Sequence, residues 1–111
     1  MLLFHFSNSP EHPSSRQGLD MLLMALSLDQ PCAAIYSGAA LGQLLQPTNA
    51  FNPLKKITML AGVFDFTEIY VDEAALADHQ ITLSELRIPA IAVGAEELAK
   101  IQQSAQHRIN F

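Results

Sequence analysis

Charge is what this sequence has least of. Only 15% of its 111 residues are Asp, Glu, Lys or Arg, while 50% are hydrophobic; an ordinary soluble domain carries about a quarter charged residues. A domain wetted on every side needs more charge than this, so the shortage predicts that another chain covers part of the surface. Interface centres are depleted of charge in the same way. The alternative is a compact monomer with an uncharged polar skin of Ser, Gln, Asn and Thr. Positive charge is scarcest of all. Arg16, Lys55, Lys56, Arg87, Lys100 and Arg108 are scattered along a chain of net charge −5, whereas a phosphate backbone is held by clustered cations. This argues against direct nucleic-acid binding; in an RNA pathway another subunit would have to hold the RNA.

Cysteine is nearly absent. With Cys32 alone, an internal disulfide and a cysteine-based metal site are both excluded. No apolar run approaches the length of a membrane span. Leu2 to Phe6 is too short for the hydrophobic region of a signal peptide and lacks a basic flank and a cleavage site, so the cytoplasm is the expected compartment. Glycine-rich phosphate fingerprints of the Rossmann or P-loop type are missing, and so is a G-x-S-x-G nucleophile elbow.

What is present is a regular alternation of short apolar runs and helical patterns. Met1 to Ser7 reads as a first strand ended by the turn formers Ser7-Asn8-Ser9-Pro10. Ser14 followed by Gln17 has the spacing of a capping box, and Leu19, Leu22, Leu23 and Leu26 then share a helical face. Asp29-Gln30-Pro31 ends that helix. Cys32 to Tyr36 is a second buried-type strand, and Ser37-Gly38 leads into a helix carrying Leu41, Leu44 and Leu45. After a polar loop from Pro47 to Pro53, a third helix runs from about Leu54, with Gly62 as its C′ residue. Phe66 to Val71 predicts strand three, followed by a short helix opened by Asp72 and Glu73. Thr82 to Leu86 is ambiguous and reads as a helical turn. Ile88 to Val93 predicts strand four, Gly94 to Glu97 opens a further helix, and Arg108 to Phe111 closes with a fifth strand.

Strands apolar on both faces and alternating with helices predict an α/β fold: three layers, a mostly parallel sheet of about five strands, and helices on both faces in a flavodoxin-like topology. One domain over residues 1–111 accounts for the chain. Right-handed crossovers gather the loops after each strand at one edge, where such folds place their sites.

Several chemistries meet objections at that edge. The Ser-rich loop (Ser7, Ser9, Ser14, Ser15) resembles a phosphate cradle, but Glu11 would repel an anion, and Ser, Asn and Pro are ordinary loop residues. A receiver-type phosphoacceptor at Asp72 would need further carboxylates after strand one and a Lys near the last strand; the chain has Ser7-Asn8-Ser9 and no Lys beyond Lys100. His5, His12, His79 and His107 show no ligand spacing, so no metal and no cofactor are predicted. His5, in mid-strand, reads as a hydrogen-bonded structural residue, and His12 beside Glu11 is the one pair near the loops. Cys32 stands at the start of strand two, away from those loops, among apolar neighbours that raise a thiol's pKa. No catalytic group emerges.

A strand followed by Ser9-Pro10, the phrase Gly18-Leu19-Asp20 with Leu22-Leu23 behind it, and Gln43-Leu44-Leu45 recur in one family. So do Leu60-Ala61-Gly62-Val63-Phe64-Asp65, then Ala75-Leu76, and the closing Ile109-Asn110-Phe111. In their order and spacing these resemble the TusC/DsrF branch of the DsrE-like sulfur-relay proteins over nearly the whole length. The resemblance implies a hexamer of three related subunit types, in which this chain would sit beside DsrE/TusD-type and DsrH/TusB-type partners. It implies persulfide transfer in tRNA wobble-uridine 2-thiolation, or sulfur oxidation in the Dsr version. It also implies that the acceptor cysteine belongs just past strand three of the DsrE/TusD-type subunit. Here Val71 and Asp72 occupy that place, so the chain resembles the non-acceptor partner. Phe64, Phe66 and Tyr70 cannot all enter one small core and are the expected contact residues, with association of the chain with itself when alone. A stand-alone flavodoxin-like protein binding a small ligand or nucleotide is the competing reading.

Overall fold

The computed structural model describes residues 1–45 and 55–111. The chain begins with β1 (Leu2–Phe6), α1 (Pro13–Ser27) and β2 (Cys32–Tyr36), followed by a 3-10 helix over Gly38–Leu44. A second 3-10 turn (Lys55–Thr58) continues into α2 (Met59–Gly62), then β3 (Ile69–Asp72) and α3 (Glu73–Asp78). A last 3-10 turn (Leu83–Glu85) precedes β4 (Ile91–Val93), α4 (Ala95–Ser104) and β5 (His107–Asn110). The strands form one sheet in the order β4-β3-β2-β1-β5, every pairing parallel. This is the α/β architecture expected from the alternating pattern.

The order dictates where the helices lie. From β1 to β4 the chain steps in one direction, so right-handed crossovers put α1, α2 and α3 on one face. From β4 to β5 it returns across the sheet, which puts α4 on the other. Packing follows. Phe4, Phe6, Ala34, Tyr36, Ile69 and Val71 point into the larger cluster with Leu19, Leu22, Leu41, Leu44, Ile57 and Leu60. On the opposite face Leu3, Ala33 and Ile35 meet Leu98, Ile101 and Ala105. One face thus carries three helices and most of the core; the other has a single ten-residue helix. β2 lies at the centre of the sheet and all five of its residues are buried.

An aromatic stack ties β5 to this core. The Phe6 ring lies 4.6 Å from Tyr36 and 5.5 Å from Phe111, and Phe111 is also stacked 6.2 Å from Phe4. Gly18 lets α1 approach it closely: a Cβ there would come within 2.6 Å of Phe6 and 2.7 Å of Phe111.

Several boundaries differ from those expected. Helix α1 begins at Pro13, and the ring Nδ1 of His12, not the Ser14 hydroxyl, caps it by accepting from the Ser14 N–H at 3.2 Å. Proline suits the first helical position because its missing donor is one the helix leaves unpaired there. The helix after β2 is 3-10, and the third helix has only one short α segment. Gly62 is its last residue and not its C′; the left-handed residue is Asp65, at φ 49°. The turn there sends the Phe66 N–H back to the Leu60 carbonyl at 2.7 Å, so β3 starts at Ile69 and not at Phe66. β4 likewise starts at Ile91 rather than Ile88, and β5 covers His107–Asn110. The polar loop 47–53 and the start of the third helix at Leu54 lie outside the described residues.

Candidate functional site

The loops at the carboxyl ends of the strands hold most of the polar side chains considered above. Those of the Ser-rich loop are engaged within the protein. Ser15 Oγ donates to the Ser9 carbonyl at 2.6 Å, and the Gln43 amide donates to Ser15 Oγ at 3.1 Å and to the Asn8 carbonyl at 2.9 Å. Asn8 Nδ2 donates to Ser14 Oγ, which also meets His12 Nδ1 at 2.8 Å. These bonds brace β1, α1 and the 3-10 helix together, while the Gln43 Oε1 is buried without a hydrogen-bond partner. His12 faces Ser14 rather than pairing with Glu11.

On the one-helix face at the same edge, His5 of β1 meets Ser37 just beyond β2, with Nε2 and Oγ 2.9 Å apart. Burial lowers the ring's pKa from its usual value, opposed by the Asp72 carboxylate nearby. A largely neutral imidazole beside a hydroxyl is a hydrogen-bonded structural pair, as its mid-strand position suggests. Asp72 itself ends β3 and caps α3, its carboxylate accepting from the Ala74 N–H at 3.1 Å. Its β3 neighbour Val71 is fully buried in the core. On the three-helix face, Arg87 closes the edge by donating to the Gln43 carbonyl at 2.6 Å. Burial pushes the Tyr36 phenol far up, against the opposing charge of Arg87.

Cys32 lies at the other end of the sheet. It is buried, its Sγ donates to the Gln30 carbonyl at 3.3 Å, and desolvation pushes its pKa up against the pull of the N-terminal ammonium. The two features that would make a relay thiol, exposure and a lowered pKa, are both missing from it.

Residues 1–111 match the DsrE/DsrF-like family. The chain belongs to that family. Its fold is also that of the crystal structure of the YchN protein from E. coli, with a TM-score of 0.71 at 15% identity over 100% of this chain and 99% of that one. No curated protein matches it by sequence. In this DsrE/DsrF-like chain β3 ends on a buried valine, Val71, and a helix-capping aspartate, Asp72, and the thiol sits at the far edge.

The aromatic residues expected at a contact are not brought onto one surface. Phe66 is taken into the larger core, and Phe64 is half-buried against the same cluster. Tyr70 is on the opposite face, where its hydroxyl donates to Glu68 and its pKa is pushed up to about 12, chiefly by that bond. A different apolar surface escaped the sequence reading. Met21, Met24 and Leu28 stand exposed along the outer side of α1, at 46%, 64% and 65%. The signal for it was there: between Leu19 and Leu28 the helix is apolar almost all the way round, which marks an element covered on more than one side.

Proposed function

We propose that this chain is a non-acceptor subunit of a sulfur-relay assembly, on the TusC/DsrF branch of its family. In that role it supports persulfide transfer by a cysteine-bearing partner toward tRNA wobble-uridine 2-thiolation in the cytoplasm. The observation that carries the reading is the carboxyl end of β3. Val71 and Asp72 hold no thiol there; one fills the core and the other caps α3. A subunit without a carrier still contributes by shaping and covering the site of the subunit that has one. The sparse charge and the exposed Met21-Met24-Leu28 stripe suit such a covered surface, with Phe64 and Tyr70, both half-buried, as further contact residues on the two faces of the sheet.

The test is co-purification of the tagged chain from its native cell together with tRNA analysis. Related subunits should come down with it, one of them bearing a persulfide-forming cysteine. Loss of this chain should deplete 2-thiouridine, and a Cys32→Ser copy should restore it. A chain that purifies as a monomer across a wide concentration range without partners, or a cell whose thiolation is unaffected by its loss, would sink the proposal.

A further inference from the structure

The one-helix face holds a second, distinct feature. Between α4 and the β1–β5 pair lies a concavity of about 260 Å³, lined by Leu3, His5, Gln102, Arg108 and Asn110. The parallel register sets it up: Leu3 pairs with Arg108 and His5 with Asn110, so all four side chains rise from one face, and α4 supplies Gln102 from above. Leu3 is fully buried and gives the hollow its apolar part.

The rest of the lining is polar. Arg108 brings only N–H donors, Gln102 and Asn110 bring amides that can turn their NH2 groups inward, and His5 brings a ring whose Nε2 is held by Ser37, leaving Nδ1. None of the lining residues is a carboxylate. Among the described residues, the side chains of Gln102, Arg108 and Asn110 make no hydrogen bond or ion pair with the protein. A guanidinium and two amides line one hollow, with Arg108 and Asn110 at its exposed rim and Gln102 half-buried; together they can present N–H groups to an oxyanion, and the planar fork of Arg adds geometry to charge. A volume of about 260 Å³ suits a small solute and not a polymer.

We infer that this concavity binds a small oxyanion-bearing molecule, a carboxylate, phosphate or sulfate, held by Arg108 with Gln102 and Asn110. The site is separate from Val71 and Asp72 and does not depend on the sulfur-relay reading.

Its test is a nitrogen–proton NMR titration of the full chain with sodium phosphate, sulfate or acetate against sodium chloride at matched ionic strength. At least one oxyanion should give saturable shifts of the Arg108 Nε–H and of the Gln102 and Asn110 side-chain amides; phosphate and sulfate acting without acetate would assign a tetrahedral ligand, and the reverse a carboxylate. Arg108→Gln should weaken binding about tenfold or more, as loss of a charge-assisted hydrogen bond implies, with the backbone spectrum otherwise retained. Gln102→Ala, on a different element, should weaken it severalfold, and Arg16→Gln on α1 should leave it unchanged. Shifts that do not saturate, that chloride reproduces (an adventitious ion only), or that survive Arg108→Gln would overturn the assignment. So would equal affinity in Arg108→Lys, which keeps the charge but loses the fork.

Discussion

Desolvation at the start of β2 raises the Cys32 pKa, and its Sγ–H is directed at the Gln30 carbonyl, so little thiolate is present at neutral pH. The native protein should therefore react with a thiol reagent much more slowly than the urea-unfolded chain. Rapid labelling of the folded protein, or a persulfide on Cys32 after incubation with a sulfur donor, would show the thiol to be accessible and a carrier after all. His5 gives a pH signature of the same origin and opposite direction. Burial makes its ring harder to protonate in the folded chain than in the unfolded one, so the unfolded state takes up the proton first as pH falls. Its contribution to stability is complete above the unfolded value of about 6.5 and is lost as pH drops through the lower folded value. Melting temperatures of the parent should fall as pH drops below about 6.5, and His5→Gln should flatten that part of the profile; an unchanged slope would mean that other groups set it. The inert thiol was legible in the sequence because burial and neighbours are local properties. The His5–Ser37 contact was not, since it joins residues 32 positions apart and exists only once β1 and β2 are in register.

Among the elements, α1 is the most tightly fitted. Gly18→Ala would gain up to about 1 kcal/mol of helix propensity. It would also drive a methyl group into two stacked rings, the fully buried Phe6 and the partly buried Phe111, and overpacking of that kind costs about 1–3 kcal/mol. The expected outcome is a net loss of about 1–2 kcal/mol in urea unfolding; a more stable variant would show that the rings yield. The elements that sequence read well are those with one dominant signal. β1 and β2 are apolar runs bounded by turn formers, and they appear within a residue or two of expectation. Where two signals compete the pattern misleads: Ser14 has capping-box spacing although Pro13 marks the first helical turn, and Phe66 continues an apolar run although the left-handed Asp65 turns it back toward α2. The 3-10 geometry over Gly38–Leu44 follows from a segment holding two glycines, whose backbone freedom weakens a regular helix.

At the scale of the molecule, the sheet order was not readable from any one segment; it emerges from the direction of each crossover, and it leaves the two faces unequal. The donor-lined hollow beside α4 was invisible in the sequence for the same reason, because Arg108 and His5 become neighbours only through the pairing of β5 with β1. Burial should rank the strands dynamically. Backbone amides of β2 and β1, flanked on both sides, should exchange with solvent most slowly, and those of the edge strands β4 and β5 fastest; equal protection across the sheet would contradict this ordering. The place of β5 bears also on how the chain is made. Strands β1 to β4 are laid down in the spatial order in which they are synthesised, but the outer flank of β1 waits for β5, the last of these five to be translated. Until β5 arrives with the Phe111 ring, a strand containing Phe4 and Phe6 presents an open row of backbone donors and acceptors to the crowded surroundings of the ribosome. A nascent chain stalled before residue 107 thus leaves that flank open as a template for its neighbours, and the docking of β5 is the event that closes it.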